Sequence, residues 1–422
     1  MTATKKLIKN YSYYFLLYGL MIIIPLISTE LNILYLGLKN ILTTPDILLT
    51  DYFAIGGIGA TFINVGLTGL SMIALLIHIG VKPNGSTIMS LWLTTGFSFF
   101  GKNIINIWPI IIGVWLFSKY KKEPFLNYIL IALLGTTLSP TVTQLSFTSQ
   151  FSFVEGYVLG FLLGICIGFI LPPISSYCLR LHQGFNLYNL GFSGGLLAMF
   201  IMSIYRSLGI DFESNLILFH DSHKFLSIIV IIICISLLLI SLTGNNKYNI
   251  VNSLRLINKS SGRLVSDYYL MYGNRVYANM GLMGLISLII VFILGGELNG
   301  PLMGAIFTII GFSAFGKHPK NTLPVILGAT LSASINILDV NSPQMLISIL
   351  FSTCLAPIAG NFGFIYGVIA GFLHVFLVTN IGYVHGGLNL YNNGLSGGFV
   401  CVIMLPLIHA FKKENVNEKH YW

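Results

Sequence analysis

Two lysines stand in an otherwise apolar setting. Lys102 closes the string Gly96-Phe-Ser-Phe-Phe-Gly-Lys102 and Lys317 closes Gly311-Phe-Ser-Ala-Phe-Gly-Lys317, each between two short apolar runs. A charged side chain at membrane depth is costly unless it is paired or faces water, so such residues mark solute or ion paths. An ammonium beside glycine amides suits an anion. The candidate set is therefore Ser98, Gly101, Lys102 and Asn106 in one string, with Ser313, Gly316, Lys317 and Asn321 in the other. The alternative leaves both lysines at the membrane surfaces as anchors, a reading that His318 and Lys320 beside Lys317 support.

A second polar string, His182-Gln-Gly-Phe-Asn-Leu-Tyr-Asn-Leu-Gly-Phe-Ser-Gly-Gly195, returns as His385-Gly-Gly-Leu-Asn-Leu-Tyr-Asn-Asn-Gly-Leu-Ser-Gly-Gly398. Asn186, Asn189 and Ser193, like Asn389, Asn392 and Ser396, recur at spacings of three and four, which puts each set on one face of an expected helix. That stripe either lines a wet path or glues two helices that the glycine pairs bring close. His182 and His385 stand just before these helices, as proton-relay or gating groups or as satisfied interfacial histidines. A third element is Pro-terminated: Gly135-Thr-Thr-Leu-Ser-Pro140 and Ser352-Thr-Cys-Leu-Ala-Pro357 read as a gate or filter, or as ordinary kinks.

The sequence excludes other chemistry. No acid falls in the middle of an expected span, which weighs against a proton antiporter built on buried Asp or Glu. No zinc-protease, serine-hydrolase or phosphate-loop motif occurs, so no enzymatic activity is expected. The five cysteines (Cys166, Cys178, Cys234, Cys354 and Cys401) are scattered through apolar stretches without metal-ligand spacing. Neither a metal nor a cofactor is expected.

These strings belong to a longer duplication. Residues 64–113 and 279–328 align without a gap at an offset of 215 and are identical at 18 of 50 positions; the His-to-Gly-Gly block repeats at an offset of 203 with 10 of 14 identities. Paired repeats in a multi-spanning protein are the architecture of secondary transporters and some channels, with the solute site at the repeat interface.

With 55% hydrophobic and 8% charged residues, the chain is an integral membrane protein, because soluble domains carry about 25% charged residues. The net charge of +9 comes from short basic segments flanking apolar runs, which are topology marks, so nucleic acid is not an expected partner. The partners expected are a small-molecule solute, the lipid bilayer and, for a transporter of this kind, a second copy of the chain.

Stretches of about 20 apolar residues fall at 12–34, 52–80, 152–173, 184–206, 224–243, 277–296, 362–382 and 389–411. Shorter, Gly/Pro-punctuated runs at 86–100, 104–118, 124–139, 301–315, 322–337 and 344–357 read as half-helices or the limbs of re-entrant hairpins. The N-terminal lysines, Lys119-Tyr-Lys-Lys122, the loop of about 244–275 and the tail Lys412-Lys413 read as cytoplasmic; the loop 207–223 reads as external. Segments 52–80 and 277–296 then cross in opposite directions. The fold expected is an all-α integral membrane protein of two inverted-topology repeats with re-entrant half-helices, roughly ten membrane segments plus hairpins. It divides into an N-terminal helix and linker (1–50), repeat 1 (51–206), a connecting helix and basic loop (207–276), repeat 2 (277–411) and a tail (412–422). The expected location is the plasma membrane of a bacterium, with both termini cytoplasmic.

Together the Gly-Phe-Ser-x-Phe-Gly-Lys and Asn-Leu-Tyr-Asn-x-Gly-x-Ser-Gly-Gly pairs resemble an uncharacterised family of bacterial multi-spanning membrane proteins built on a domain of unknown function, over about 51–411. That resemblance implies no activity. A weaker likeness joins Gly96-Phe-Ser-Phe and Gly311-Phe-Ser-Ala to the Gly-Phe-Asn-Gly-type turns of urea transporters. The asparagine and second glycine are missing here, so urea selectivity is not implied. The function expected is passage of a small polar solute, an anion or zwitterion before a cation, with a passive channel for a neutral solute, or a membrane enzyme or structural subunit, as alternatives.

Overall fold

The computed structural model describes residues 3–46, 50–147, 151–212, 216–220, 223–243, 249–263, 266–390 and 392–411. Among these the chain is helical, with only isolated bridges of Thr50 to Ile217 and Asp51 to Phe100 in place of strands. The first half runs α1 (Ala3–Asn10), α2 (Ser12–Ser28), α3 (Leu31–Thr43), α4 (Tyr52–Ile79), α5 (Gly85–Phe97), α6 (Trp108–Lys121), α7 (Ile129–Gly135), α8 (Pro140–Ser146), α9 (Phe153–His182) and α10 (Asn189–Ser207). Then come α11 (His223–Ser241), α12 (Ile250–Ile257) and α13 (Tyr268–Tyr272). The second half runs α14 (Val276–Ile293), α15 (Gly300–Phe312), α16 (Pro319–Ser334), α17 (Pro343–Phe351), α18 (Ala356–Phe362), α19 (Phe364–Ile381) and α20 (Asn392–Phe411). Among the described residues, eight helical stretches are long and apolar enough to cross a membrane, or nine if Phe125–Leu138 and Pro140–Ser146, bent by 44°, form one span.

At the centre, α5 and α15 pack antiparallel. Both start after an asparagine that the duplication preserves: Asn84 accepts from Thr87 N and Asn299 from Leu302 N, satisfying donors that a helix start leaves open. Glycine lets the two backbones meet, since a Cβ on Gly96 would lie 2.8 Å from Gly304 O and one on Gly311 2.7 Å from Trp92 Cβ. Each helix start is then tied to an aspartate far away in the chain. Asp51 caps α4 through Phe53 N and also accepts from Gly300 N at the start of α15 (2.9 Å), while Tyr52 N donates to Phe99 O (3.0 Å). Asp267 caps α13 through Leu270 N and accepts from Gly85 N at the start of α5 (2.9 Å), while Tyr268 N donates to Ala314 O (3.1 Å). The Asp51 and Asp267 ties therefore stand at opposite ends of the pair.

Around this pair, α6 packs on α9 and α16 on α19 at glycine crossings: a Cβ on Gly113 would overlap the Ile165 carbonyl, and one on Gly328 the Val368 carbonyl. The broken elements expected at 124–139 and 344–357 are α7 and α17, each passing through one 3₁₀ turn (Thr136–Leu138, Ser352–Leu355) into α8 or α18.

Three expectations fail. The stretch 12–34 is not one helix: α2 ends at Ser28, and extended backbone at Thr29 (φ −132°) and Glu30 (ψ 136°) turns the chain into α3. The expected helix at 152–173 continues to His182. The helices expected at 184–206 and 389–411 begin at Asn189 and Asn392; ahead of the first, Asn186 Oδ1 accepts from Tyr188 N and holds the preceding segment in a side-chain turn.

Candidate functional site

Two turns carry the lysines, and the same bonds build both. Asn64, in mid-α4, donates to Ser98 O and Lys102 O at 2.9 Å each; Asn279, in α14, donates to Ser313 O and Lys317 O at 2.8 Å. Gly101 (φ 75°) and Gly316 (φ 114°) take left-handed backbone that favours glycine. Asn106 Nδ2 donates to Gly101 O (3.2 Å) and Asn321 Nδ2 to Gly316 O (2.8 Å), while each Asn Oδ1 accepts the backbone N–H at Asn103 or His318. The Ser98 and Ser313 hydroxyls bond their own helices, to Thr94 O and Ile309 O. The two serines and two asparagines are thus occupied in shaping the turns.

Both lysines are fully buried, yet they differ. Lys317 Nζ donates to Tyr188 OH (2.6 Å) and Thr353 Oγ1 (2.7 Å) and lies over the Tyr188 and Phe312 rings at 4.5 and 5.1 Å. Lys102 Nζ lies 5.1 Å from the Phe97 ring centroid and has no hydrogen-bond partner among the described residues. Tyr391, the counterpart of Tyr188 at the 203 offset, lies outside the described residues. Neither side chain is exposed within the protein. The two do not share one site: α5 and α15 are antiparallel, and their turns sit a helix length of about 20 Å apart.

The asparagine string of each half packs on the lysine turn of the other. Leu187 lies against Gly316, and Leu390 against Gly101. Leu187 N donates to Cys354 O and Leu390 N to Thr137 O, so the Pro-terminated elements brace the same joints. Asn186 Nδ2 donates to Gly394 O (2.8 Å) and Asn389 Nδ2 to Gly191 O (3.1 Å), a reciprocal pair of bonds between the starts of α10 and α20. His182 Nε2 meets Asn189 Oδ1 and His385 Nε2 meets Asn392 Oδ1, both at 2.9 Å, and the second amide atom of each Asn bonds a carbonyl, Ser175 O or Val378 O. Ser193 and Ser396 bond back to Asn189 O and Asn392 O. The expected stripe is corrected accordingly: Asn186 and Asn389 lie in turns ahead of the helices, and only Asn189 with Ser193 and Asn392 with Ser396 share a helical face.

Two clefts of about 200 and 220 Å³ open at opposite ends of the α5–α15 pair. Phe100, Val378, Thr379, Leu390 and Asn392 line the first; their counterparts at the repeat offsets, Phe315, Ser175, Ser176, Leu187 and Asn189, line the second. Asn189 and Asn392 therefore face separate clefts. Aromatic rings stand between them. Phe351 of the first cleft meets Tyr188 of the second with centroids 5.8 Å apart, Tyr188 meets Phe312 at 4.9 Å, and Phe97 stacks on Phe351 at 6.1 Å. Neither lysine lines a cleft: Lys102 lies against Phe97, which stacks on Phe351 of the first cleft, and Lys317 lies over Tyr188 of the second, so rings stand between each lysine and its cleft.

One group escaped the sequence reading. Asp46, between α3 and α4, is fully buried and accepts from Tyr52 OH (2.8 Å), Thr143 Oγ1 (2.9 Å) and the turn residue Asn106 (Nδ2, 3.1 Å). It sits outside the duplicated blocks, in a linker with no periodic pattern. Among the described residues, no group of three or more His, Cys, Asp or Glu is placed to hold a metal ion.

Comparisons with curated proteins and with solved structures find no match. A family model described as "Protein of unknown function (DUF1576)" matches residues 31–207 and 246–410, and the chain belongs to that family.

Proposed function

We propose that this protein moves a small polar solute, an anion or zwitterion, across a membrane by exposing a lysine-backed site to one side and then the other. The observation that carries this reading is the pair of repeat-related clefts at opposite ends of α5–α15, kept apart by rings that each have a buried lysine behind them. In this reading the halves are inverted repeats, and α5–α6 and α15–α16 are re-entrant hairpins. Support comes from the side chains at the two ends. Asp51, Ile217 and Phe219 meet at one end of the central pair, and Asp267 meets Gly85 at the other. Trp108 and Trp115 of α6 line a surface pocket with His78 and Ile79, so α6 returns toward the end of α4 beside which α5 began. The basic residues Lys119, Lys121 and Lys122 close α6 on that side, which fits a cytoplasmic face.

The protein transforms nothing in this account; its residues bind, orient and exclude water. Dry aromatic walls strengthen the attraction between an ammonium and an anion, because little solvent screens it. Uptake by the purified protein in liposomes tests the reading, with a panel of small labelled carboxylates, amino acids and neutral solutes. Saturable uptake of an anion or zwitterion that Lys102→Met or Lys317→Met weakens is the expected result. Non-saturating flux of a neutral solute, unchanged in both variants and in the double variant, would replace the transporter with a channel.

A further inference from the structure

We propose that Asp46 is a proton-binding site that couples the first lysine turn to pH, an inference that rests on the transport reading and supplies its driving ion. The carboxylate is fully buried, and no Lys, Arg or His forms an ion pair with it: among the described residues the ion pair found is Arg206 with Asp211. Its charge is met instead by three neutral donors. Tyr52 OH points at Oδ1, and Asn106 Nδ2 and Thr143 Oγ1 point at Oδ2. Such a group is close to balance, since burial opposes the charge and the three hydrogen bonds favour it.

Protonation changes the bonding. A proton added to Oδ2 faces two donors already aimed there; Thr143 can turn its hydroxyl, but the Asn106 amide nitrogen cannot accept. A proton on Oδ1 requires Tyr52 to reverse. The Asn106 link matters most, because the same Nδ2 holds Gly101 O, which also accepts from Ser139 Oγ (2.9 Å), and Lys102 follows Gly101 directly. A neutral carboxyl group accepts more weakly than a carboxylate, so protonation of Asp46 loosens the Asn106 link and with it the hold on the first turn. The second turn has no acid in this place; Asn321 Nδ2 reaches Ser261 O instead. The coupling therefore acts on the first turn alone. A proton suits the site better than Na⁺, because Asn106 presents its donor here while its oxygen is taken by Asn103 N.

Other charged or titratable groups around Asp46 are Tyr52 on α4, Lys102 on the turn and Tyr157 on α9, which lines a small cavity with Asn106 and Thr143; Lys39 on α3 is exposed. α8 contributes none.

The experiment uses the full chain in liposomes, without its five native cysteines, with a single reporter cysteine at Thr379 in the first cleft or Ser176 in the second. Labelling by a small hydrophilic thiol reagent is followed across pH at fixed Na⁺, then at fixed pH with Na⁺ replaced by N-methylglucamine. If the two states differ tenfold in proton affinity, the ratio of labelling rates shifts by about tenfold between alkaline and acid pH. Asp46→Asn should abolish the shift and Asp46→Glu keep it. Tyr52→Phe and Thr143→Val each remove a donor to the carboxylate, so the midpoint should move to higher pH, a displacement that a structural role would not produce. A shift that survives Asp46→Asn, a midpoint unmoved in both donor variants, or a shift that follows Na⁺ at constant pH would overturn the proposal. The transport reading fails separately: a pH response seated on Asp46 with no solute flux would leave the proton site standing and remove the transporter.

Discussion

Lys102 and Lys317 are the same residue twice in sequence and not in surroundings, and the difference has a thermodynamic consequence. Replacing Lys317 with methionine removes its two buried hydrogen bonds, to Tyr188 OH and Thr353 Oγ1, which costs about 1–3 kcal/mol. Replacing Lys102 removes a buried ammonium that has no hydrogen-bond partner among the described residues, so stability should hold or rise. Thermal unfolding of the two variants in detergent should therefore move in opposite directions, or at least separate; equal losses would mean that Lys102 is held as firmly as Lys317. These lysines were legible because duplication singles out a residue that recurs. Asp46 was not, because it occurs once, in a linker, and only the fold brings Tyr52, Asn106 and Thr143 around it.

At the scale of elements, the duplication indicated where α5 and α15 begin, since Asn84-Gly85 and Asn299-Gly300 recur as caps. It could not reveal that Asp51 ties the start of α15 and Asp267 the start of α5, because such bonds join residues 249 or 182 positions apart. Asp51→Ala would strand buried donors at Gly300 and Phe53, and a partly buried one at Phe219, at a cost of about 1–3 kcal/mol. Asp51→Asn, which keeps an acceptor, should recover part of that loss in the same unfolding measurement. The misplaced start of α10 has a local cause: hydrophobic periodicity cannot distinguish a first helical turn from a side-chain turn of the same polarity. Glycine crossings are the opposite case. Gly113→Ala and Gly328→Ala put a methyl into a facing carbonyl, so both should destabilise by more than the Ala preference of a helix returns. Variants as stable as the parent would show that α6–α9 and α16–α19 can separate freely.

For the whole molecule, opposite orientation of the halves requires Leu216 and Lys259 to lie on opposite sides of the membrane; both are exposed. On a background without native cysteines, Leu216→Cys should react with an impermeant thiol reagent added outside intact cells, and Lys259→Cys only after permeabilisation. Reaction of both from one side would end the inverted-repeat reading. The partition between the clefts makes a further demand. One layer of rings separates the two openings, with Phe351 in contact with both Tyr188 and Phe97. If that layer is the barrier that must never open to both sides at once, thinning it should create a leak. Phe351→Leu keeps an apolar side chain and limits the loss of packing, whereas Phe351→Ala costs about 3–5 kcal/mol in a well-packed core. Liposomes holding the leucine variant should pass small polar solutes down a gradient with weak saturation, while the parent retains them. A variant as tight as the parent would place the barrier elsewhere, at the Leu187 and Leu390 contacts with the two lysine turns.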